Sequence, residues 1–120
     1  MISCLCVALG GAVGSVARYL VGLIKINESL AFPVKTLAIN VAGSFLIGLV
    51  AALALKKGSG GTNLVLFLKV GVCGGFTTFS TFALESANLW QGGRPGLAAL
   101  YVLLSVGASV AAVFAAQACV

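Results

Sequence analysis

The chain has 120 residues, 61% of them hydrophobic and 8% charged, and seven Lys and Arg against two acids give it a net charge of +5. Soluble domains carry about 25% charged residues, so this composition, with a mean hydropathy of +1.19, all but excludes a water-soluble domain. A bilayer span takes about 20 mostly apolar residues, which leaves room for four spans and short loops and none for a separate soluble domain.

Charges and turn residues divide the sequence into four apolar segments at about residues 3–24, 34–55, 64–90 and 96–120. The expected fold is therefore an all-α integral membrane protein, one membrane domain over residues 1–120, with four transmembrane helices. The connectors run from Lys25 to Pro33, Lys56 to Asn63 and Gln91 to Pro95, and hold most of the Lys, Arg, Pro and Gly punctuation. The chain is apolar from Met1 with no basic stretch before it, which speaks against a cleaved signal peptide. Trp90 closes the third segment where an interfacial aromatic is expected.

The basic residues are Arg18, Lys25, Lys35, Lys56, Lys57, Lys69 and Arg94. Such charge on a membrane protein belongs to loops and interfaces, and no nucleic-acid partner is expected. Orientation in the bilayer follows the Lys and Arg difference between the two sides. Here Lys56, Lys57 and Lys69 stand against Lys25, Lys35 and Arg94. The bias is nil, so both orientations are expected to insert, unless lipid or a partner sets the topology, and two opposed copies are then able to pair. The sequence shows no internal repeat, so inverted symmetry would have to come from two chains. Cys4, Cys6, Cys73 and Cys119 fall in apolar stretches without CxxC spacing and are read as small buried residues.

The first segment carries Gly10, Gly11, Gly14 and Ser15, small residues that let helix backbones approach closely. Arg18 lies in its inner part; it either snorkels from near the helix end or concentrates anions at an aqueous vestibule. The second segment holds Asn40, an amide donor about a third of the way in, with Gly43 and Gly48.

The third segment contains Gly71-Val-Cys-Gly-Gly-Phe-Thr-Thr-Phe-Ser-Thr-Phe82. Two adjacent glycines each cost roughly 1 kcal/mol in a helix, and four hydroxyl residues follow. Two readings stand: a helix broken near its middle, whose free carbonyls line a cavity or hold a hard cation such as Na⁺, or a glycine kink with hydroxyls bonded back to the preceding turn. Phe76, Phe79 and Phe82 recur every third residue along one side of a helix. Their ring edges are electropositive and can line an anion path without a fixed charge that would trap the ion. Glu85, one turn beyond Phe82, is read as an anchor for the hydroxyls near the break or a partner for a cation. On the fourth segment Tyr101, Ser105 and Ser109 follow at i, i+4 and i+8, forming one polar line. Four helices are too few to enclose an aqueous pore while packing tightly, so a conduction path is expected to need an oligomer.

Three stretches, Gly10-Gly-Ala-Val-Gly-Ser-Val-Ala-Arg-Tyr19, Thr36-Leu-Ala-Ile-Asn-Val-Ala-Gly-Ser-Phe45 and Gly74-Gly-Phe-Thr-Thr-Phe-Ser-Thr-Phe82, resemble the signatures of the Fluc (CrcB) fluoride channel family, in order and across the chain. The resemblance implies an antiparallel, dual-topology homodimer with two fluoride pathways and a central structural Na⁺ on main-chain carbonyls, by motif position those of Gly74 and Thr77. It also implies an aromatic box of Phe79 and Phe82, polar pathway groups at Asn40, Thr81, Tyr101, Ser105 and Ser109, and Arg18 at a vestibule. The fourth-helix positions match by spacing only. The function so implied is passive, fluoride-selective efflux across a prokaryotic plasma membrane, relieving fluoride toxicity. A fluoride/proton antiporter using Glu85 is one rival. A dual-topology small multidrug exporter is another, although such a protein calls for an acid in its first helix, where this one has Arg18. With no His, no Asp and no nucleophile beside a base, an enzyme is not expected.

Overall fold

The computed structural model describes residues 1–25 and 31–120, so the middle of the first connector lies outside the described residues. Among the described residues every regular element is helical. Four helical stretches are long and apolar enough to cross a membrane: Ile2–Gly22, Val34–Lys57, Asn63–Gln91 and Pro95–Ala118. We call the first two α1 and α2 and the last α5. The third is interrupted, giving α3 (residues 63–76) and α4 (Phe79–Gln91).

Each boundary has a local chemical cause. The α1 C-terminus is closed by Lys35 Nζ, which donates to Gly22 O at 2.9 Å, a cation placed where the helix dipole is negative. Helix α2 begins directly after Pro33 and ends at Gly58, whose φ of +65° supplies the left-handed turn. Thr62 caps α3 by accepting from Val65 N–H at 3.3 Å. Helix α5 starts with Pro95 in its first turn, where a missing N–H costs nothing.

Helix α3 is unusual inside. After one α-turn it widens into a π-helical stretch, Leu66–Cys73, and returns to α geometry over Gly74–Phe76. Against this stretch lies α1, parallel to it and in backbone contact. A methyl added at Gly10 would sit 2.9 Å from Gly71 Cα and 3.0 Å from Val72 N; one at Gly14 would sit 2.8 Å from Phe76 N. Gly10 and Gly14 are therefore spent within the chain, whereas a Cβ at Gly11 would meet nothing within 4 Å among the described residues. Helix α2 packs along α5, and α4 leans on α5.

The interior is small. Phe82, Leu89, Ala98 and Tyr101 form its main cluster, joined by Phe32, Leu37 and Leu97. Most large apolar side chains face outward, including Leu5, Leu9, Val13, Val16 and Leu20 along one side of α1. In water such a surface would be untenable; against lipid or another apolar helix it is the expected face.

Candidate functional site

The third span breaks at Thr77 and Thr78. Both are extended, at φ −78°, ψ 158° and φ −149°, ψ 115°. The kink reading is thus replaced by a true interruption, and the backbone groups it frees can be followed one by one. Thr77 N–H and Oγ1 both donate to Cys73 O, at 3.0 and 2.9 Å. Arg18 Nε donates to Gly75 O at 3.2 Å. Asn40 clamps the next peptide from both sides: its Nδ2 donates to Thr78 O at 3.0 Å and its Oδ1 accepts from Thr78 N–H at 2.8 Å. The Thr78 hydroxyl caps α4, accepting from Thr81 N–H at 3.2 Å and donating to Thr81 Oγ1 at 3.0 Å. Three carbonyls are passed over. Among the described residues no side chain and neither N–H of the break donates to Gly74 O, Phe76 O or Thr77 O.

Beside the break is a groove of about 360 Å³. It brings together Asn40 and Ser44 of α2, Gly74 and the break itself, Phe79 and Phe82 of α4, and Ser105 and Ser109 of α5. Phe79 stands 78% exposed at its mouth, while Phe82 is buried. The two rings are tilted with centroids 5.6 Å apart, close enough to present edges to one passing ion. Asn40 has spent one amide hydrogen on Thr78 and keeps a second. Ser105 is 5% exposed, and its Oγ is a buried side-chain oxygen without a hydrogen-bond partner. An orphaned buried hydroxyl costs about 1–3 kcal/mol, so this one is a donor in waiting.

Three residues expected near this path are placed otherwise. The Thr81 hydroxyl is engaged at the α4 cap. Tyr101, fully buried, packs its ring 5.2 Å from that of Phe82 and 5.4 Å from that of Phe32, and its hydroxyl donates to Glu85 Oε1 at 3.3 Å. Glu85 therefore faces α5 and Tyr101 rather than the hydroxyls at the break. Neither Thr81, Tyr101, Glu85 nor Arg18 lines the groove. Conversely, Gly43, Ser44, Cys73 and Thr78 line it and were not assigned to the path from the sequence, where Gly43 and Cys73 read as small packing residues. Gly43 could have been, because it stands three residues after Asn40 within the same motif, and a side chain there would collide with Thr77.

The free carbonyls also bear on a cation. Hard oxygens suit a hard ion such as Na⁺, and Gly74 adds open space, since a Cβ there would meet nothing within 4 Å. The residues present fit such an ion without any side-chain ligand.

An all-helical membrane protein with a broken span beside a groove of neutral donors and ring edges belongs to the class that moves small ions. The model of the family described as CrcB-like protein, Camphor Resistance (CrcB), matches residues 5–117, and the chain belongs to that family. It is 49% identical over 116 residues to the fluoride-specific ion channel FluC of Agrobacterium fabrum, covering 96% of this chain and 93% of that one. It is 50% identical over 109 residues to the protein of the same name from Paracoccus denitrificans, covering 91% and 86%. A third such channel, from Ruminiclostridium cellulolyticum, is 45% identical over 108 residues, covering 88% and 82%.

Proposed function

We propose that this chain forms a fluoride channel, and that it works as an antiparallel dual-topology homodimer in the plasma membrane of a bacterium. It conducts passively, letting accumulated fluoride leave the cell, and it is not an enzyme. The observation that carries the reading is the groove in which the buried Ser105 Oγ, for which the geometry gives no hydrogen-bond partner among the described residues, stands with the Asn40 amide, Ser109 and the Phe79 and Phe82 rings. Fluoride is small and tightly hydrated. A path for it must offer donors in place of water and yet no fixed cation that would hold it. Ser105, Ser109 and the second Asn40 hydrogen supply donors, and the ring edges supply weak positive potential.

A second copy is favoured by the groove's size and by Phe79. At about 360 Å³ the groove has room for on the order of ten waters, far more than one stripped anion, and its mouth residue Phe79 is left 78% exposed. A partner would narrow the groove and enclose the ring. The balanced count of basic residues supports opposed orientation. A structural Na⁺ on the carbonyls of Gly74 and Thr77 would supply positive charge to the two half-helix ends. The antiporter reading draws no support from Glu85, which is turned away to Tyr101, nor the multidrug reading from α1, which carries no acid.

The test is fluoride efflux from proteoliposomes with and without an imposed proton gradient. The channel reading expects flux that follows the fluoride gradient alone, and proton-coupled flux refutes it. Opposed orientation is tested separately with a single cysteine at Gly60 in a cysteine-free background. An impermeant reagent applied outside cells is expected to label about half of the chains; labelling of nearly all or nearly none refutes it.

A further inference from the structure

We infer that Arg18 is a positioning residue for the cation site proposed above, acting through the carbonyl of Gly75 rather than through its charge at a vestibule. The inference rests on the reading that Gly74 O and Thr77 O hold Na⁺.

A half-helix that ends inside a membrane leaves its last carbonyls without partners. In α3 the candidates are Cys73, Gly74, Gly75 and Phe76, followed by Thr77 and Thr78 of the break. All six are oxygen ligands of the same kind, so chemistry alone does not choose among them. The surrounding residues narrow the choice: Cys73 O is taken by Thr77, Gly75 O by Arg18 and Thr78 O by Asn40, leaving Gly74, Phe76 and Thr77, of which the proposed site uses Gly74 and Thr77. Gly75 sits on the side of α1, where an added Cβ would lie 2.6 Å from Gly11 O, whereas Gly74 faces open space. The Arg18 bond thus pins the one peptide that lies between Gly74 and Thr77 on the α1 side, and holds both neighbours in fixed orientation.

Arg18 suits this work for physical reasons. It is half-buried on α1, four residues before the helix ends, and it reaches across to α3 at Gly75 O. Nε is the innermost donor of a rigid planar fork. A bond made there orients the whole group, which a freely rotating ammonium does not reproduce. Cationic character at a helix C-terminus is favourable in itself, but it would oppose a second cation nearby. A role through charge and a role through the bond therefore predict opposite outcomes.

The experiment compares the wild type with Arg18→Lys and Arg18→Gln, each full-length and purified without Na⁺. The midpoint of thermal unfolding in detergent is followed as choline is exchanged for Na⁺ at constant ionic strength, and fluoride efflux is measured over the same series. Arg18→Lys keeps the charge and loses the fork. It is expected to need about tenfold more Na⁺ for half of the stabilisation, the scale of one charge-assisted hydrogen bond, with flux lost at low Na⁺ and restored at high Na⁺. The inference is overturned if Arg18→Lys has the Na⁺ requirement of the wild type while Arg18→Gln binds Na⁺ more tightly, because Arg18 then acts by charge. It is also overturned if the midpoint of Arg18→Lys falls equally at every Na⁺ concentration, the mark of packing alone. If the wild type itself shows no Na⁺ dependence, the cation reading fails and this inference falls with it, a failure recognised without any variant.

Discussion

The two sides of the third span make opposite use of the same residue type. On the side of α1, Gly10, Gly14, Gly71 and Gly75 bring backbones into contact, and a Cβ at any of them meets main-chain atoms at about 3 Å or less. On the other side Gly74 borders the groove and a Cβ there meets nothing. The first face is complete within one chain. The second carries a buried hydroxyl without a hydrogen-bond partner among the described residues and an exposed aromatic ring, and is the face on which the proposed partner copy and ion would sit. A glycine in a helix costs roughly 1 kcal/mol; Gly14 has its reason inside the chain, and Gly74 does not.

The sharpest way to break this contrast is to fill both kinds of glycine. Gly14→Leu drives a side chain into Val72 and Phe76 and is expected to cost about 3 kcal/mol or more, enough to lose the folded species on size-exclusion chromatography. At Gly74 an added Cβ meets nothing within 4 Å among the described residues, so Gly74→Leu is expected to leave the isolated subunit folded and to abolish the dimer and its flux; a dimeric, conducting Gly74→Leu would refute a partner or ion at that face. Next in size is Asn40→Asp, which removes the bond to Thr78 O and places a negative charge in the groove. Fluoride efflux is expected to fall on the order of 100-fold or more, equivalent to two lost hydrogen bonds. Phe82→Ile keeps apolar bulk at a cost below about 1.5 kcal/mol while removing a ring edge, and efflux is expected to fall roughly tenfold, the scale of one aromatic interaction. The smallest effect belongs to Ser105→Ala. Deleting a hydroxyl that has no partner is expected to leave stability unchanged or raised by up to about 1 kcal/mol, yet to slow efflux severalfold. A stability loss there would mean that Ser105 is already bonded and is not waiting for an anion.

Much of this arrangement can be read in the sequence, for identifiable reasons. Four spans follow from apolar length alone, and the interruption follows from Gly74 and Gly75 running into four hydroxyls. The polar line of α5 is legible as far as Ser105 and Ser109, which share the groove. What escapes is set by contacts remote in the chain. Arg18 reaches Gly75 across 57 residues, whereas in sequence it stands near a helix end and reads as snorkelling or as a charge at a vestibule. Glu85 stands one turn from Phe82 and reads as part of the break, but Tyr101, 16 residues on, claims its carboxylate. The π-helical stretch leaves no mark at all, because Leu66–Cys73 is apolar throughout except for Lys69 and carries no periodicity to distinguish wide turns from ordinary ones.

That stretch has a consequence for the length of the third span. Asn63–Gln91 counts 29 residues against 21 and 24 in the others; as continuous α-helix it would measure about 43 Å, well beyond a hydrocarbon core of about 30 Å. The wide turns, which hold more residues per turn, absorb part of the excess, and they do so by changing angular phase rather than by adding depth, whereas the extended Thr77–Thr78 dipeptide adds length. Adding a single residue within Leu66–Cys73, even an apolar one facing lipid, with the wide turns otherwise kept, would rotate everything beyond it by up to about 100°. Gly75 would swing off α1, and Gly74 would swing onto it. The segment is thus a spacer whose residue count, more than its residue types, keeps the closed face and the open face on their proper sides.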